Sequence, residues 1–229
     1  MQPFDYAKEF GSAYHAARRL PAHSEQWLAN IRAEKLRPWI SPTDRVLEYG
    51  VGFGWNLAAV RSRQKVGFDL TADLREEVEN KGIRFEANEN SLPERSFDIV
   101  LLHHALEHIG KPFACLCRIK TLLVAGGRLL LFVPFEREGK YKKFRASNRA
   151  HHLYSWTPAS LTELLVRAGF VIQEKRIQRF RFDRLAAVVA KKMGGGFRLY
   201  RLLRTLGVSL LPEYELCFVA RPVEERSVR

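Results

Sequence analysis

The sequence has few of the features that mark membrane-spanning, secreted or metal-binding proteins. No run approaches the ~18 to 20 consecutive apolar residues that a helix needs to cross a bilayer. The first residues, Met1 to Tyr6, have neither a basic nor an apolar segment, so we expect no secretory leader. The three cysteines, Cys115, Cys117 and Cys217, are too few and too poorly spaced for a metal centre. We therefore expect no metal ligand, and reduced thiols in a cytoplasmic protein.

Internal repeats and low-complexity segments are also absent, and the remaining composition is that of a globular protein. Hydrophobic residues make up 46% and charged residues 28% of the 229 residues. This length predicts a single domain with enough chain to bury a core. Within it we expect a helical cap at 1–40, a core at 41–180, a helical insertion at 181–211, and a last strand with its tail at 212–229.

Acidic residues are scarce in two segments, which carry the whole excess of positive charge. The formal net charge is +13, yet residues 1–136 are nearly neutral. Residues 137–149 hold six basic side chains and one acidic one, and residues 171–210 hold ten and two. A local basic field attracts anionic partners. We expect an anionic or membrane-associated partner, with nucleic acid and a merely solvated surface as alternatives.

One apolar strand runs directly into a glycine-rich turn. The segment is VLEYGVGFG, residues 46–54, and Trp55 begins a predicted helix. Without a Cβ, the backbone at Gly50, Gly52 and Gly54 can turn tightly and approach a ligand. A strand, turn and helix start of this kind form a nucleotide-binding corner of an α/β sheet. The dinucleotide fingerprint needs Gly or Ala where this chain has Trp55, which argues against a pyrophosphate cofactor.

Strands and helices alternate along the chain after residue 40, which predicts an α/β fold with a doubly wound, mostly parallel sheet. Ser24 is the predicted N-cap of the second helix. We predict strands at 45–49, 64–68, 82–86, 97–102, 127–133, 170–176 and 214–221, and helices at 5–19, 24–38, 55–62, 71–80, 112–123 and 158–168.

Six segments, in order, resemble the motifs of the class I S-adenosylmethionine (SAM) dependent methyltransferases. The similarity is greatest to the type 11 group, which includes the ubiquinone-type enzymes, and it covers roughly residues 40–175. It implies a seven-stranded Rossmann-like sheet whose last strand is antiparallel. It also implies SAM as cofactor and S-adenosylhomocysteine as product. The segments are VLEYGVGFG (46–54), KVGFDL (65–70), FEANENSLP (85–93), SFDIVLLHH with LEHI (96–109), GGRLLLFVP (126–134), and HLYSWTP with LLVRAGF (152–170).

The resemblance implies the cofactor-binding residues. The carboxylate of Asp69 would accept hydrogen bonds from both ribose hydroxyls, since an ionised carboxylate offers two acceptor oxygens. Leu70 would pack on the adenine, and His103 would flank the methionine part. The implied set is Glu48, Gly50, Gly52, Gly54, Asp69, Leu70, Asn88, Glu89 and His103.

Two positions depart from the family pattern. Motif I more often carries Asp where this chain has Glu48, which keeps the carboxylate on a longer side chain. The adenine segment often carries Asp where this chain has Asn88, whose amide oxygen can still accept from an amine. The backbone at Asn88 and Glu89 would follow the edge of the adenine.

Histidine is the natural base near neutral pH, and methyl transfer to a hydroxyl or amine needs one. His104 is our first choice for the catalytic base and His152 our second, ahead of His103, His108 and His151. For His108 we prefer a structural hydrogen bond. Two adjacent histidines on a strand are expected to point to opposite faces. Tyr6 and Tyr14 are predicted either to close over the cofactor or to pack in the core.

The insertion before the last strand predicts two helices joined by a glycine hinge at 194–196. The second is amphipathic, with Arg198, Arg201 and Arg204 on one face and leucines largely around the other. We favour a flap whose leucines cover the active site. The alternative is a basic amphipathic helix resting on an anionic membrane surface.

Together these patterns predict a SAM-dependent methyltransferase that transfers a methyl group to a small-molecule or lipid- or glycan-linked acceptor, at an oxygen atom. One alternative is an RNA methyltransferase that grips phosphates with segments 137–149 and 171–210. Another is a SAM-binding regulatory protein without turnover. No Asn-Pro-Pro-Tyr or Asp-Pro-Pro-Tyr element follows the fourth strand, which argues against a base-amino methyltransferase. We expect a cytoplasmic location, with peripheral contact at the inner membrane surface as the alternative.

Overall fold

Seven strands form one sheet in the computed structural model, which describes residues 9–135 and 152–223. The strands are β1 (Arg45–Tyr49), β2 (Gln64–Phe68), β3 (Arg84–Glu86), β4 (Phe97–His103), β5 (Leu123–Phe135), β6 (Phe170–Phe180) and β7 (Glu213–Pro222). Their order is β3-β2-β1-β4-β5-β7-β6. Strands β1 to β5 are parallel, and β7 is antiparallel to both β5 and β6. The predicted fold class is confirmed.

The helices of the described residues differ from the predicted ones mainly at their ends. They are α1 (Glu9–Arg18), α2 (Ala22–Leu36), α3 (Trp55–Ala58), α4 (Arg75–Glu79), α5 (Pro112–Leu122), α6 (Pro158–Arg167), α7 (Asp183–Lys192) and α8 (Phe197–Leu210). The prediction of Ser24 as an N-cap is wrong, because α2 begins earlier and has Pro21 at its N-cap. The Ser24 hydroxyl instead donates to the carbonyl oxygen of Pro21 at 2.6 Å.

Apolar side chains of the central strands alternate between two cores, one on each face of the sheet. On β4, Val100 and Leu102 face the core that α5 and α6 cover. Ile99 and Leu101 face the other core, which α2, α3 and α4 cover. All four side chains are buried, as expected for a central parallel strand covered on both sides.

The sheet places the glycine turn and the end of β4 at the same edge. Val46 to Glu48 of β1 pair in parallel with Ile99 to Leu101 of β4. From β1 the chain runs outward to β2 and β3 and then returns to β4 on the other side. The carboxyl ends of β1 and β4 therefore flank the point where the strand order reverses, which is where α/β sheets bind ligands.

Helices α7 and α8 form a hairpin that packs on α2. Tyr200 is fully buried there, with its ring 5.4 Å from that of Trp27. Leu199 and Leu203 pack against the same cluster. Leu202 and Leu206 remain 54% and 51% exposed, so the expected flap of leucines over the active site is not what the structure shows. Within the described ranges, no helix combines the length and the apolar character needed to span a membrane.

Gly67 of β2 offers a test of how the glycine turn is held. A Cβ at this position would lie 2.7 to 2.9 Å from three side-chain atoms of Val51 in the turn. We expect Gly67→Ala to lower the free energy of unfolding by about 1–3 kcal/mol through overpacking, as measured by urea denaturation. The control is Gly110→Ala, where a Cβ meets nothing within 4 Å. Equal effects of the two substitutions would show that Val51 does not pack tightly on β2.

Candidate functional site

The glycine turn is fastened to β2 and lies close to the chain leaving β4. The backbone amides of Gly50 and Val51 both donate to the carbonyl oxygen of Phe68, at 2.8 and 2.9 Å. Gly50 has φ +84°, and a Cβ there would come within 2.7 Å of the Ala105 side chain. Only glycine permits this backbone conformation and this approach together. The turn thus forms a narrow cradle of backbone at the switch point.

Asp69 follows β2 and is held against the turn. Its carboxylate accepts from the amides of Gly52 at 2.9 Å and Thr71 at 3.0 Å, one on each oxygen. His15 of α1 lies 3.8 Å away. Burial acts to raise the pKa of Asp69, but His15 and these amides outweigh it and lower the pKa. Each oxygen keeps acceptor capacity, as the predicted bonds to two hydroxyls require.

Glu48, at the end of β1, is a fully buried carboxyl group beside the turn. Asn56 donates to its Oε1, whereas Oε2 has no hydrogen-bond partner among the described residues. Burial raises the pKa of Glu48 to about 8. A buried polar oxygen without a partner is costly, so Oε2 is a candidate contact for a polar hydrogen of a ligand.

The predicted adenine-binding residues lie beside Asp69, after β3. The Asp69 amide donates to the carbonyl of Glu86, the last residue of β3. Asn88 uses its side-chain oxygen to accept from the amide of Asn90 at 3.0 Å. Glu89 accepts from the Tyr49 hydroxyl at 2.8 Å. The Leu70 side chain is 49% exposed, so it presents an apolar surface at this edge; these adenine contacts stay predictions.

His103 and His104 lie together, not on opposite faces. Their rings stack with centroids 4.6 Å apart and planes 17° from parallel. The strand ends at His103, and His104 has a left-handed φ of +54°. The two-residue alternation of a strand therefore does not extend to His104. The expectation of opposite faces is wrong for this reason.

His104 is hydrogen-bonded to Glu215 of β7. The distance from His104 Nε2 to Glu215 Oε2 is 2.9 Å, and Glu215 is 1% exposed. Burial acts to raise the pKa of Glu215, but Lys35 and His104 outweigh it and hold the pKa well below its usual range. Burial lowers the pKa of His104, against the opposing effect of Glu215. A neutral imidazole oriented by an ionised carboxylate results at neutral pH.

Two basic side chains of α2, Arg32 and Lys35, lie beside this pair of histidines and Glu215. Lys35 Nζ lies 2.5 Å from Glu215 Oε1 and 2.9 Å from His103 Nε2, and Arg32 also contacts His103. Burial lowers the pKa of Lys35 to about 8. Burial together with Lys35 and Arg32 lowers the pKa of His103 well below its ordinary value. His103 is thus a neutral group surrounded by positive charge.

Sequence reasoning missed Arg32, Lys35 and Glu215. Two basic residues three positions apart on a predicted helix share a face, which is a weak signal. Glu215 is an acidic residue directly before the apolar run 216–220 of the predicted last strand, and this signal was available. The sequence could not show that these groups meet His104, because they lie far apart along the chain.

His152, our second choice of base, belongs to a different cluster. Glu107 Oε1 lies 4.0 Å from both His152 Nε2 and His108 Nε2. The Tyr14 hydroxyl lies 3.0 Å from His108 Nε2, so α1 closes over this cluster. The hydrogen bond expected for His108 is present in this form.

Several predictions fall on residues that the structure does not describe. They concern Tyr6, His151 and the basic segment 137–149. The structure therefore does not test whether segment 137–149 binds RNA.

Two groups of ligand-type side chains lie close enough to hold a cation. In each, the three candidate atoms are within 4.8 Å of one another: His103, His104 and Glu215 in one, Glu107, His108 and His152 in the other. In the first group the ammonium of Lys35 already contacts Glu215 and His103. That charge disfavours a metal ion there. The prediction that no residue is a metal ligand stays a prediction.

Residues 17–175 match the family of methyltransferase domains. The chain belongs to this family. The match covers more than half of the chain and spans the glycine turn, Asp69 and the histidines of both clusters. A search of curated proteins gave no match.

Solved structures of methyltransferases share the fold. The 1,6-didemethyltoxoflavin-N1-methyltransferase of Burkholderia thailandensis, crystallised with S-adenosylhomocysteine, is 23% identical with a TM-score of 0.59, over 95% of this chain and 87% of that one. Phosphoethanolamine N-methyltransferase 2 of Haemonchus contortus, in complex with SAM, is 14% identical with a TM-score of 0.65, over 98% and 60%. The predicted family and fold are confirmed, and these complexes are consistent with the predicted cofactor.

The residues of the site fit SAM. A Cβ at Gly50 would lie 2.7 Å from the Ala105 side chain, so only bare backbone fits where the turn meets the end of β4. Asp69 offers acceptors for two hydroxyls, and Glu48 offers a buried oxygen without a partner among the described residues. Asp69 suits the ribose hydroxyls, and Glu48 suits an ammonium group, whose positive charge favours the ionised carboxylate.

The buried carboxyl of Glu48 predicts a pH dependence of stability. Its native pKa is about 8 and its ordinary value 4.5, so the native state holds this proton between those values. The stabilising contribution is complete below about pH 4.5 and is lost as the pH rises through about 8. We expect Glu48→Gln, which stays neutral, to lose less stability than the wild type between these limits, as measured by urea denaturation.

The matched control is Glu76→Gln, an exposed carboxylate on α4. It should follow the pH dependence of the wild type. If Glu48→Gln also follows the wild type, the Glu48 carboxyl is ionised in the native state.

Proposed function

We propose that this protein transfers a methyl group from SAM to an oxygen atom of a small-molecule or lipid- or glycan-linked acceptor. The observation that carries the proposal is the pairing of His104 with buried Glu215 at the sheet edge that also holds the glycine turn and Asp69. The His104 side chain is 24% exposed and Glu215 only 2%. A base that reaches solvent and a buried carboxylate behind it suit proton removal from an acceptor.

The cofactor side of the site consists of groups that bind and orient. SAM supplies an electrophilic methyl group on a sulfonium. Asp69 would hold the ribose hydroxyls, and the turn at Gly50 to Gly54 would allow a close approach of the backbone. The positive charge of the ammonium in the methionine part would favour the ionised form of Glu48, whose Oε2 would then accept from it. None of these groups takes part in removing the proton from the acceptor.

The acceptor side is built around His104. Glu215, when ionised, only accepts hydrogen bonds, so His104 Nε2 carries the proton that lies between them. The lone pair of the neutral ring is then on Nδ1, which can take the proton of an acceptor hydroxyl as the oxygen attacks the methyl group. Glu215 stabilises the imidazolium that forms. Lys35 and Gln178 hold the carboxylate in place at 2.5 and 2.6 Å.

The buried charges near His104 favour an anionic acceptor. Arg32, Lys35 and Arg204 supply three positive charges, while Glu215 and Asp183 supply two negative ones. A partly buried cluster with an excess of positive charge is stabilised by an incoming anion. This supports an acceptor that carries a carboxylate or phosphate group.

Asp69 provides the test of the cofactor assignment. We expect Asp69→Asn to weaken the binding of SAM and S-adenosylhomocysteine by at least about tenfold, because one charged acceptor for the ribose hydroxyls is lost. Titration calorimetry measures both affinities. The control is Asp73→Asn, an exposed carboxylate bonded to Ser12, which should bind as the wild type does. Wild-type protein that binds neither compound contradicts the proposal.

His104 provides the test of the base. We expect His104→Gln to lower turnover by roughly 10² to 10⁴-fold with the SAM affinity unchanged, since a general base contributes about that much. Release of S-adenosylhomocysteine, with a cell extract as the source of acceptor, measures turnover. His23→Gln serves as the control, because His23 lies on α2 and its ring contacts the carbonyl of Ala187 and the ring of Trp27 rather than Glu215.

The same measurement on His152→Gln separates the two histidine clusters. Full turnover is expected, because His152 contacts Glu107 and His108 rather than Glu215. If turnover is lost in His152→Gln and retained in His104→Gln, the base lies in the other cluster.

A further inference from the structure

The α7–α8 hairpin exposes an unusual number of large apolar side chains. Six of them lie within 27 residues and are 51% to 78% exposed: Leu185, Met193, Leu202, Leu206, Leu210 and Leu211. We call these residues, with the exposed cations described below, the outer surface of the hairpin. Exposed apolar groups concentrated in this way mark an interaction site more often than scattered ones do.

The outer surface is not a loosened part of the core. The inner side of the hairpin is fixed on α2 through buried Ala187, Ala190 and Tyr200, with Trp27 and Ile31 packed against them. Asp183 joins the two helices and α2 through Arg204 at 2.6 Å and Arg32 at 3.6 Å. The hairpin therefore packs on α2 through its inner side, and its outer surface takes no part in this packing.

The exposed leucines of α8 form a continuous stripe. Leu202, Leu206 and Leu210 are four residues apart, so they lie above one another on one side of the helix. Arg198 stands one turn before Leu202 on the same side and is exposed. A leucine stripe with cations close beside it is a feature of helices that lie in the plane of a membrane interface.

The outer surface carries cations that no carboxylate of the described residues neutralises. No acidic residue occurs between Asp183 and Glu213. Arg201 pairs with Glu34 at 3.3 Å and Arg204 pairs inward with Asp183. Arg184, Lys191, Lys192 and Arg198 are exposed, and within 9–135 and 152–223 no carboxylate forms an ion pair with them. The surface therefore combines leucines with four uncompensated cations.

We propose that the outer surface of the α7–α8 hairpin docks on an anionic lipid bilayer. The leucines would enter the boundary between headgroups and acyl chains, while the four cations meet anionic headgroups. RNA would satisfy the cations but gives the leucines no apolar partner. A symmetric contact with a second copy would cover the leucines but brings the same cations together, which is unfavourable.

This inference goes beyond the proposed function, because docking needs neither SAM nor His104. It would place the site at a lipid surface, where lipid-linked acceptors are found. Docking and methyl transfer can fail separately, so a test of one does not decide the other.

Sedimentation with vesicles tests the proposal on the full-length protein. We expect binding to phosphatidylcholine vesicles that contain phosphatidylglycerol and much weaker binding to phosphatidylcholine alone. The triple variant Leu202→Gln, Leu206→Gln, Leu210→Gln should bind at least about tenfold more weakly. The matched control replaces three other large apolar side chains that are about half exposed, namely Phe113→Gln, Val166→Gln and Val171→Gln, and should bind as the wild type does.

Charge is tested in the same way. The triple variant Lys191→Gln, Lys192→Gln, Arg198→Gln should lose about fivefold in vesicle affinity per cation, and the loss should shrink at high salt. Its control, Arg61→Gln, Arg63→Gln, Lys111→Gln, removes the same charge from other exposed positions. Circular dichroism of each variant establishes that it is folded.

Three outcomes overturn the proposal. One is an equal loss of vesicle affinity in the leucine variant and in its control, which would show that the leucines of α8 have no special part in binding. Another is a wild-type dimer, detected by light scattering, that the leucine variant abolishes without any effect on vesicles. The third is an absence of vesicle binding together with salt-sensitive binding of a generic RNA.

Discussion

The buried carboxylate of Glu215 connects elements that the sheet by itself does not hold together. It accepts hydrogen bonds from Lys35 of α2, from Gln178 of β6 and from His104 after β4. A charge in this environment is tolerated only when it is compensated and hydrogen-bonded. The helical cap, the β4 exit and the last two strands must therefore keep their relative positions. His104 is oriented as a consequence of this requirement.

The hairpin is linked to the same network. Asp183, in the first turn of α7, pairs with Arg32, and Arg32 contacts His103 beside the site. The hairpin that carries the proposed membrane surface is thus linked through Arg32 to His103, the neighbour of the proposed base His104. In this arrangement an anionic, lipid-linked acceptor encounters positive charge both at the outer surface and at the site, which increases its local concentration.

Among the groups that we propose to bind the cofactor, the glycine turn and Asp69 have simpler structural requirements. Each of them directly follows the strand that positions it. The turn follows β1, and Asp69 follows β2, so parallel pairing brings them to one edge. The hydrogen bond from the Gly52 amide to Asp69 is then a local contact between neighbouring strand ends. By contrast, His104 depends on partners from three distant segments.

The sequence by itself determined the fold class, the family, the order of strands and helices, and the glycine turn with Asp69. These features follow from local periodicity and from motifs that are contiguous in the chain. Only the tertiary structure decided the partners of His104, the stacking of His103 on His104, and which leucines of α8 are buried or exposed. The partners of His104 come from segments far apart in the chain. The stacking depends on the left-handed backbone of His104 after the end of β4. The burial of the leucines depends on which face of α8 packs on α2.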